Sequence, residues 1–255
     1  MVIQFRTHMR KGSNNMRIIE CENYEEMSDA AAKIVAELVK NKPDCVLGLA
    51  TGSTPEGLYA KLVKGYESGE LDFSRVRSVN LDEYYPISPD NDQSYRYFMN
   101  KHLFDHVNID KKNTHVPDGS AADPEQACRD YEEIIASLPQ VDIQILGIGQ
   151  NGHIAFNEPA EELISVTHKT ALTENTINAN ARFFASPEEV PTHALTMGIG
   201  SIMKAKKIII MANGAAKRDA IAKLLSGNLT TACPASMLNL HPDVVVICDR
   251  AALGK

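Results

Sequence analysis

Long apolar runs are missing from this 255-residue sequence. None approaches the ~20 residues needed to cross a bilayer, and no apolar stretch followed by a small-residue cleavage site stands near the N-terminus. These absences predict a cytoplasmic protein. Cysteine is scarce and unpaired: Cys21, Cys45, Cys128, Cys233 and Cys248 are odd in number, contain no C-x-x-C and sit mostly in or beside apolar runs. A disulfide framework and a zinc site are thereby disfavoured, and buried reduced thiols are expected. Positive charge is also in deficit, with 26 Lys and Arg against 33 Asp and Glu and a formal net charge of -7. That balance argues against nucleic acid or an anionic membrane as the main partner, since either calls for a basic footprint.

What is present is 44% hydrophobic content, ample for a core, with no repeat, linker or low-complexity stretch to divide it. Residues 1–15 lack clean periodicity and end in Gly12-Ser13-Asn14-Asn15, so they are expected to form a flexible extension to one domain over 16–255. From Met16 onward, extended apolar segments alternate with amphipathic ones. Met27, Ala31, Ile34, Val35 and Leu38 share helical spacing, Cys45–Leu49 reads as a buried strand, and a helix is expected to open at Pro55 with Thr54 as its N-cap. Further strands are expected over 76–81, 141–146, 207–211 and 243–247, and helices over 95–104, 124–137 and 215–225. The alternation predicts an α/β fold with a mostly parallel, Rossmann-like central sheet and helices on both faces.

In such sheets ligands collect where loops leave the carboxyl ends of strands. Thr51, Gly52, Ser53 and Thr54 follow the strand ending at Leu49; their hydroxyls and a glycine suit a phosphate at a helix N-terminus, or equally an ordinary capped turn. Asp82 and Glu83 follow the strand ending at Leu81. Adjacent carboxylates point in different directions, so at most one faces a ligand, as a general base or as part of a solvated acidic turn. Gly147-Ile148-Gly149-Gln150-Asn151-Gly152 has the dinucleotide pattern, but Pro159 lies too near for the long helix that pattern needs. The acidic residue required some twenty positions on is also absent, since Val166-Thr167-His168-Lys169 stand there. The turn instead presents His153, an acid/base suited to neutral pH, with Asn151, Asn157 and Glu158 close by. Lys217 after the strand at 207–211 and Arg182 in "NANARFF" are read singly as surface charges, or together with the Thr51–Thr54 loop as a grip on a phosphate monoester.

These segments resemble the sugar-phosphate isomerase/deaminase family in its glucosamine-6-phosphate deaminase branch. "GLATGSTP", "NLDEYY", "GIGQNGHIAFNEP", "NANARFF", "ALTMGIGSI" and "NGAAKRDAI" occur in the family's order, and the likeness covers residues 16–250. "NGHIAFNEP" is the most specific of them. The resemblance implies conversion of D-glucosamine 6-phosphate and water to D-fructose 6-phosphate and ammonia, without metal or organic cofactor. It implies that His153 opens the pyranose ring with Glu158 orienting it, and that Asp82 carries a proton from C2 toward C1 through an enolamine. The phosphate falls to the Ser53–Thr54 region, Arg182 and Lys217, and the segment 163–185 is expected to act as a lid.

Two departures qualify the resemblance. Asn151 stands where some members carry Asp, so His153 should be less basic unless Glu158 compensates. Glu161, Glu162, His168 and Thr170 replace residues that bind N-acetylglucosamine 6-phosphate in allosterically regulated members, so no such activation is expected and the argument for a hexamer weakens. A homo-oligomer stays open, as does the galacto epimer as substrate. A non-catalytic sugar-phosphate sensor is disfavoured, since it need not keep Asp82, His153 and Glu158.

Overall fold

Ile208–Met211 and Val244–Ile247, short apolar runs rich in β-branched residues, become neighbouring parallel strands with every side chain buried. The computed structural model describes residues 6–9, 16–174, 177, 184 and 189–255. Its larger sheet contains β1 (Arg6–Met9), β2 (Met16–Cys21), β3 (Val46–Leu49), β4 (Arg77–Asn80), β6 (Thr114–His115), β7 (Ile143–Leu146), β10 (Lys207–Ala212) and β11 (Val244–Asp249). Their order is β1-β2-β11-β10-β7-β3-β4-β6, parallel throughout except that β1 runs antiparallel to β2. Thus Arg6–Met9, inside the segment expected to be an extension, pairs as an edge strand whose four residues are all exposed.

Helix α1 (Tyr24–Asn41) starts three residues before the apolar spacing indicated, because the Asn23 side chain accepts the Glu26 N–H at 3.0 Å and caps it. Its stripe of Met27, Ala31, Val35 and Val39 is buried, and it packs with α2 (Ser53–Glu67). Helix α2 opens at Ser53, not Pro55, and its N-cap is Gly52 in place of Thr54. A positive φ of 87° at Gly52 turns the chain two residues early, a conformation that glycine takes without strain. Helices α3 (Tyr95–Met99, continued by a π-turn to Phe104), α4 (Pro124–Ser137), α5 (Ile199–Met203) and α6 (Arg218–Ser226) complete the helical framework.

A second sheet has no counterpart in the sequence expectations. β5 (Asp82–Tyr85), β9 (His193–Thr196) and β8 (His168–Ala171) form an antiparallel sheet in that order. Asp82 and Glu83, expected in a loop, therefore lie in a strand. Each member has four residues, too few for a distinct alternation to emerge from the sequence.

Candidate active site

The larger sheet reverses its winding direction between β3 and β7. These strands are neighbours, yet the chain proceeds from β3 to β4 on one side and from β7 to β10 on the other. Loops leaving the carboxyl ends of two such strands diverge and open a crevice, the usual ligand position in this architecture. Glycine shapes the loop after β7. Gly149 N–H donates to the His153 carbonyl at 2.9 Å, Gly152 N–H donates to the Gly149 carbonyl at 3.0 Å, and Gly152 has φ +92°. A Cβ on Gly149 would come within 2.3–2.5 Å of the His153 ring, whereas one on Gly147 meets nothing within 4 Å. The glycines therefore seat an imidazole against the backbone.

His153 Nδ1 lies 3.1 Å from Glu158 Oε1. The alignment is not that of a hydrogen bond. Asn151 links the two residues without touching the ring through a hydrogen bond: its Oδ1 accepts His153 N–H at 3.1 Å and its Nδ2 donates to Glu158 Oε2 at 2.5 Å. The amide thus orients Glu158, whose carboxylate sits beside the His153 ring. Ala155 closes the turn at φ 52°, a left-handed value that costs about 1–3 kcal/mol for a residue with a Cβ.

Asp82 and Glu83 alternate across β5. Tyr84, on Asp82's side of the strand, packs with Phe156 and Ala194, placing that face toward the loop after β7. Glu83 points the other way, and its carboxylate accepts N–H bonds from Tyr84 (2.9 Å), Tyr95 (2.8 Å) and Arg96 (2.9 Å), securing the start of α3. Burial, then the charge of Glu83, pushes the Asp82 pKa up to about 8. Burial pushes Glu83 up to about 7, with those three N–H bonds opposing it. One of the two carboxylates faces the crevice and the other is structural, as strand geometry requires.

At the other side of the crevice, Thr51, Gly52, Ser53 and Thr54 lead from β3 into a 15-residue helix whose N-cap makes no side-chain hydrogen bond. The first N–H groups of α2 and its dipole are suited to an anion. Lys217 lies in the turn after β10; burial pushes its ammonium pKa down, and no carboxylate among the described residues offsets that effect. Since β3, β7 and β10 are consecutive in the sheet, their loops start about 10 Å apart, two strand spacings. Asp249, not singled out in the sequence, accepts Gly214 N–H through both oxygens at 3.0 and 2.9 Å and so fixes the turn that carries Lys217. Arg182 lies outside the described residues, as does much of the expected lid from 175 onward. The first part of that lid is built into the fold: Glu132 on α4 accepts from Thr167 N and Oγ1 at 2.8 and 2.6 Å, and β8 follows directly.

No set of three or more His, Cys, Asp or Glu residues among the described residues is arranged to hold a metal ion. The five cysteines are buried free thiols.

A histidine beside a glutamate on a glycine turn, a buried carboxylate on the strand face turned toward that loop, and a helix start on a neighbouring strand fit an α/β protein of sugar-phosphate-processing type. The family model described as glucosamine-6-phosphate isomerases/6-phosphogluconolactonase matches residues 21–247, and this chain belongs to that family. It is 56% identical over 237 residues to a glucosamine-6-phosphate deaminase of Thermoanaerobacter pseudethanolicus, covering 93% of this chain and 94% of that one. A Clostridium perfringens protein of the same name is 55% identical over 93% of this chain and 98% of its own. Among solved structures, one described as a monomeric glucosamine-6-phosphate deaminase superposes with a TM-score of 0.90 at 47% identity, covering 93% of this chain and 98% of that chain. A 6-phosphogluconolactonase from Trypanosoma brucei shares the fold, with a TM-score of 0.75 at 20% identity over 93% and 97% of the two chains.

Proposed function

We infer that this protein is an enzyme that converts D-glucosamine 6-phosphate and water to D-fructose 6-phosphate and ammonia. The observation that carries the reading is the placement of the buried Asp82 carboxylate on the strand face turned toward the His153–Glu158 loop. The Ser53–Thr54 end of α2, Lys217 and Arg182 hold the phosphate, supplying binding energy that fixes C1 and C2. His153, with the Glu158 carboxylate beside its ring, exchanges a proton at the ring oxygen and C1 hydroxyl to open the pyranose. Ionised Asp82 takes the C2 proton, giving the enolamine, and delivers it to C1. The resulting C2 imine adds water and expels ammonia. Burial of Asp82 keeps the captured proton from solvent between the two transfers.

The enzyme acts in the cytoplasm and needs no metal or organic cofactor in this scheme. Among the described residues no helix is long and apolar enough to cross a membrane, which fits that setting. The galacto epimer differs at C4 alone and is the competing substrate. Ammonia release from both sugar phosphates decides: the wild type is expected to act on glucosamine 6-phosphate, with Asp82→Asn slower by about 10²–10⁴-fold, the usual contribution of a positioned acid/base. Near-full activity in that variant removes Asp82 from the proton transfer. No release from either sugar removes the deaminase reading.

A further inference from the structure

The two halves of the chemistry stand on different sheets. His153 and Glu158 follow β7 of the larger sheet, whereas Asp82 begins β5 of the smaller one. Their separation is therefore set by whatever joins the β7 loop to β5, and strand β9 makes that junction. Asp82 pairs directly with Thr196 across β5 and β9, so their side chains share a face with Cβ atoms about 4.5–5.5 Å apart. Thr196 is fully buried, and its Oγ1 accepts the N–H of Phe156 at 3.1 Å. The next residue, Met197, donates its N–H to the Leu81 carbonyl at 2.7 Å and accepts Asn157 Nδ2 at 2.8 Å. Residues 156 and 157 immediately precede Glu158, whose N–H donates to the Phe156 carbonyl at 3.1 Å.

We propose that Thr196 is a positioning residue, its hydroxyl fixing the His153–Glu158 loop at a set distance from the Asp82 carboxylate. The inference rests on the deaminase reading and adds to it a residue that touches no reacting atom. A main-chain ladder alone holds β9 to β5, but it leaves the β7 loop unattached. Beside the packing of Phe156 on Tyr84, the polar attachment is made by a hydroxyl accepting one N–H and by Asn157 reaching one carbonyl. Valine at 196 keeps the shape of threonine and removes the acceptor, leaving the Phe156 N–H buried and unpaired, which the loop relieves by moving. Misplacement by 1 Å costs on the order of 10²-fold in rate. The described parts of the phosphate grip, on the loops after β3 and β10, share no hydrogen bond with Thr196, whose hydroxyl bonds to Phe156 and Met197.

The test is steady-state ammonia release from glucosamine 6-phosphate by wild type, T196V and T196S, with thermal melting as a control for folding. The expected pattern is a kcat for T196V lower by about 10–100-fold with KM held within about twofold, and T196S close to wild type because serine keeps the acceptor. Should T196V not fold, T196A removes the same hydroxyl without adding bulk and carries the same expectation. Wild-type kcat in T196V or T196A, a rise in KM in place of the fall in kcat, or T196S impaired as much as T196V, overturns the proposal. Absence of ammonia release from the wild type instead overturns the deaminase reading, so the two failures are distinct.

Discussion

Burial raises both carboxyls of the Asp82–Glu83 pair, but among the described residues only Glu83 has N–H donors to stabilise its charge, from Tyr84, Tyr95 and Arg96. In the proposed mechanism Asp82 acts as a base when ionised, so kcat/KM of the free enzyme is expected to fall as pH drops through its pKa of about 8. The charge of Glu83 is the second cause of that elevation. Neutralising it in Glu83→Gln lowers the Asp82 pKa, and the acidic limb of the kcat/KM profile is expected to move to lower pH; an unmoved or raised limb contradicts this coupling. His153, Glu158 and Asp82 were legible in the sequence because each stands in a short motif after an apolar strand. Thr196 was not, although "ALTMGIGSI" contains it. Its part depends on lying opposite Asp82, a pairing between residues far apart in the chain that no local pattern encodes.

At the scale of elements, the loop after β7 is a mount whose dimensions are set by the missing side chain of Gly149. Gly149→Ala would bring a methyl within 2.3–2.5 Å of the His153 ring. The imidazole must swing away, and ammonia release is expected to fall by about 10²-fold or more, since a shift near 1 Å suffices for that loss. A circular dichroism spectrum like the wild type's, combined with undiminished activity, would show that the ring has room the geometry denies it. The start of α2 shows how far local rules reach. Proline at the first helical position and a hydroxyl before it are sound signals, yet Gly52 took the positive φ and moved the start to Ser53. Strands β5, β8 and β9 escaped notice for a different reason: four residues each, stabilised by pairing with one another and not by their own pattern.

For the whole molecule, the alternation of apolar strands and amphipathic helices conveyed the parallel sheet, its ligand-bearing edge and the single chain-wide architecture. The small sheet and the edge pairing of Arg6–Met9 came only from the structure. Glu161 and Glu162 are exposed and acidic, and Lys169 is the one lysine or arginine in residues 160–171, so among the described residues this region offers no fixed pair of cations to a second phosphate. Substrate saturation is accordingly expected to be hyperbolic and unchanged by N-acetylglucosamine 6-phosphate; several-fold activation in initial-rate assays would refute this.

The division of the chemistry between two sheets has an evolutionary side. The β7 turn, with its histidine, belongs to a scaffold shared in outline with 6-phosphogluconolactonases. The carboxylate proposed to handle the C2 proton stands on the smaller sheet, whose strands come from separate stretches of the chain. Such a layout lets substitutions on the smaller sheet change the group that faces the β7 turn while the start of α2 after β3 stays as it is.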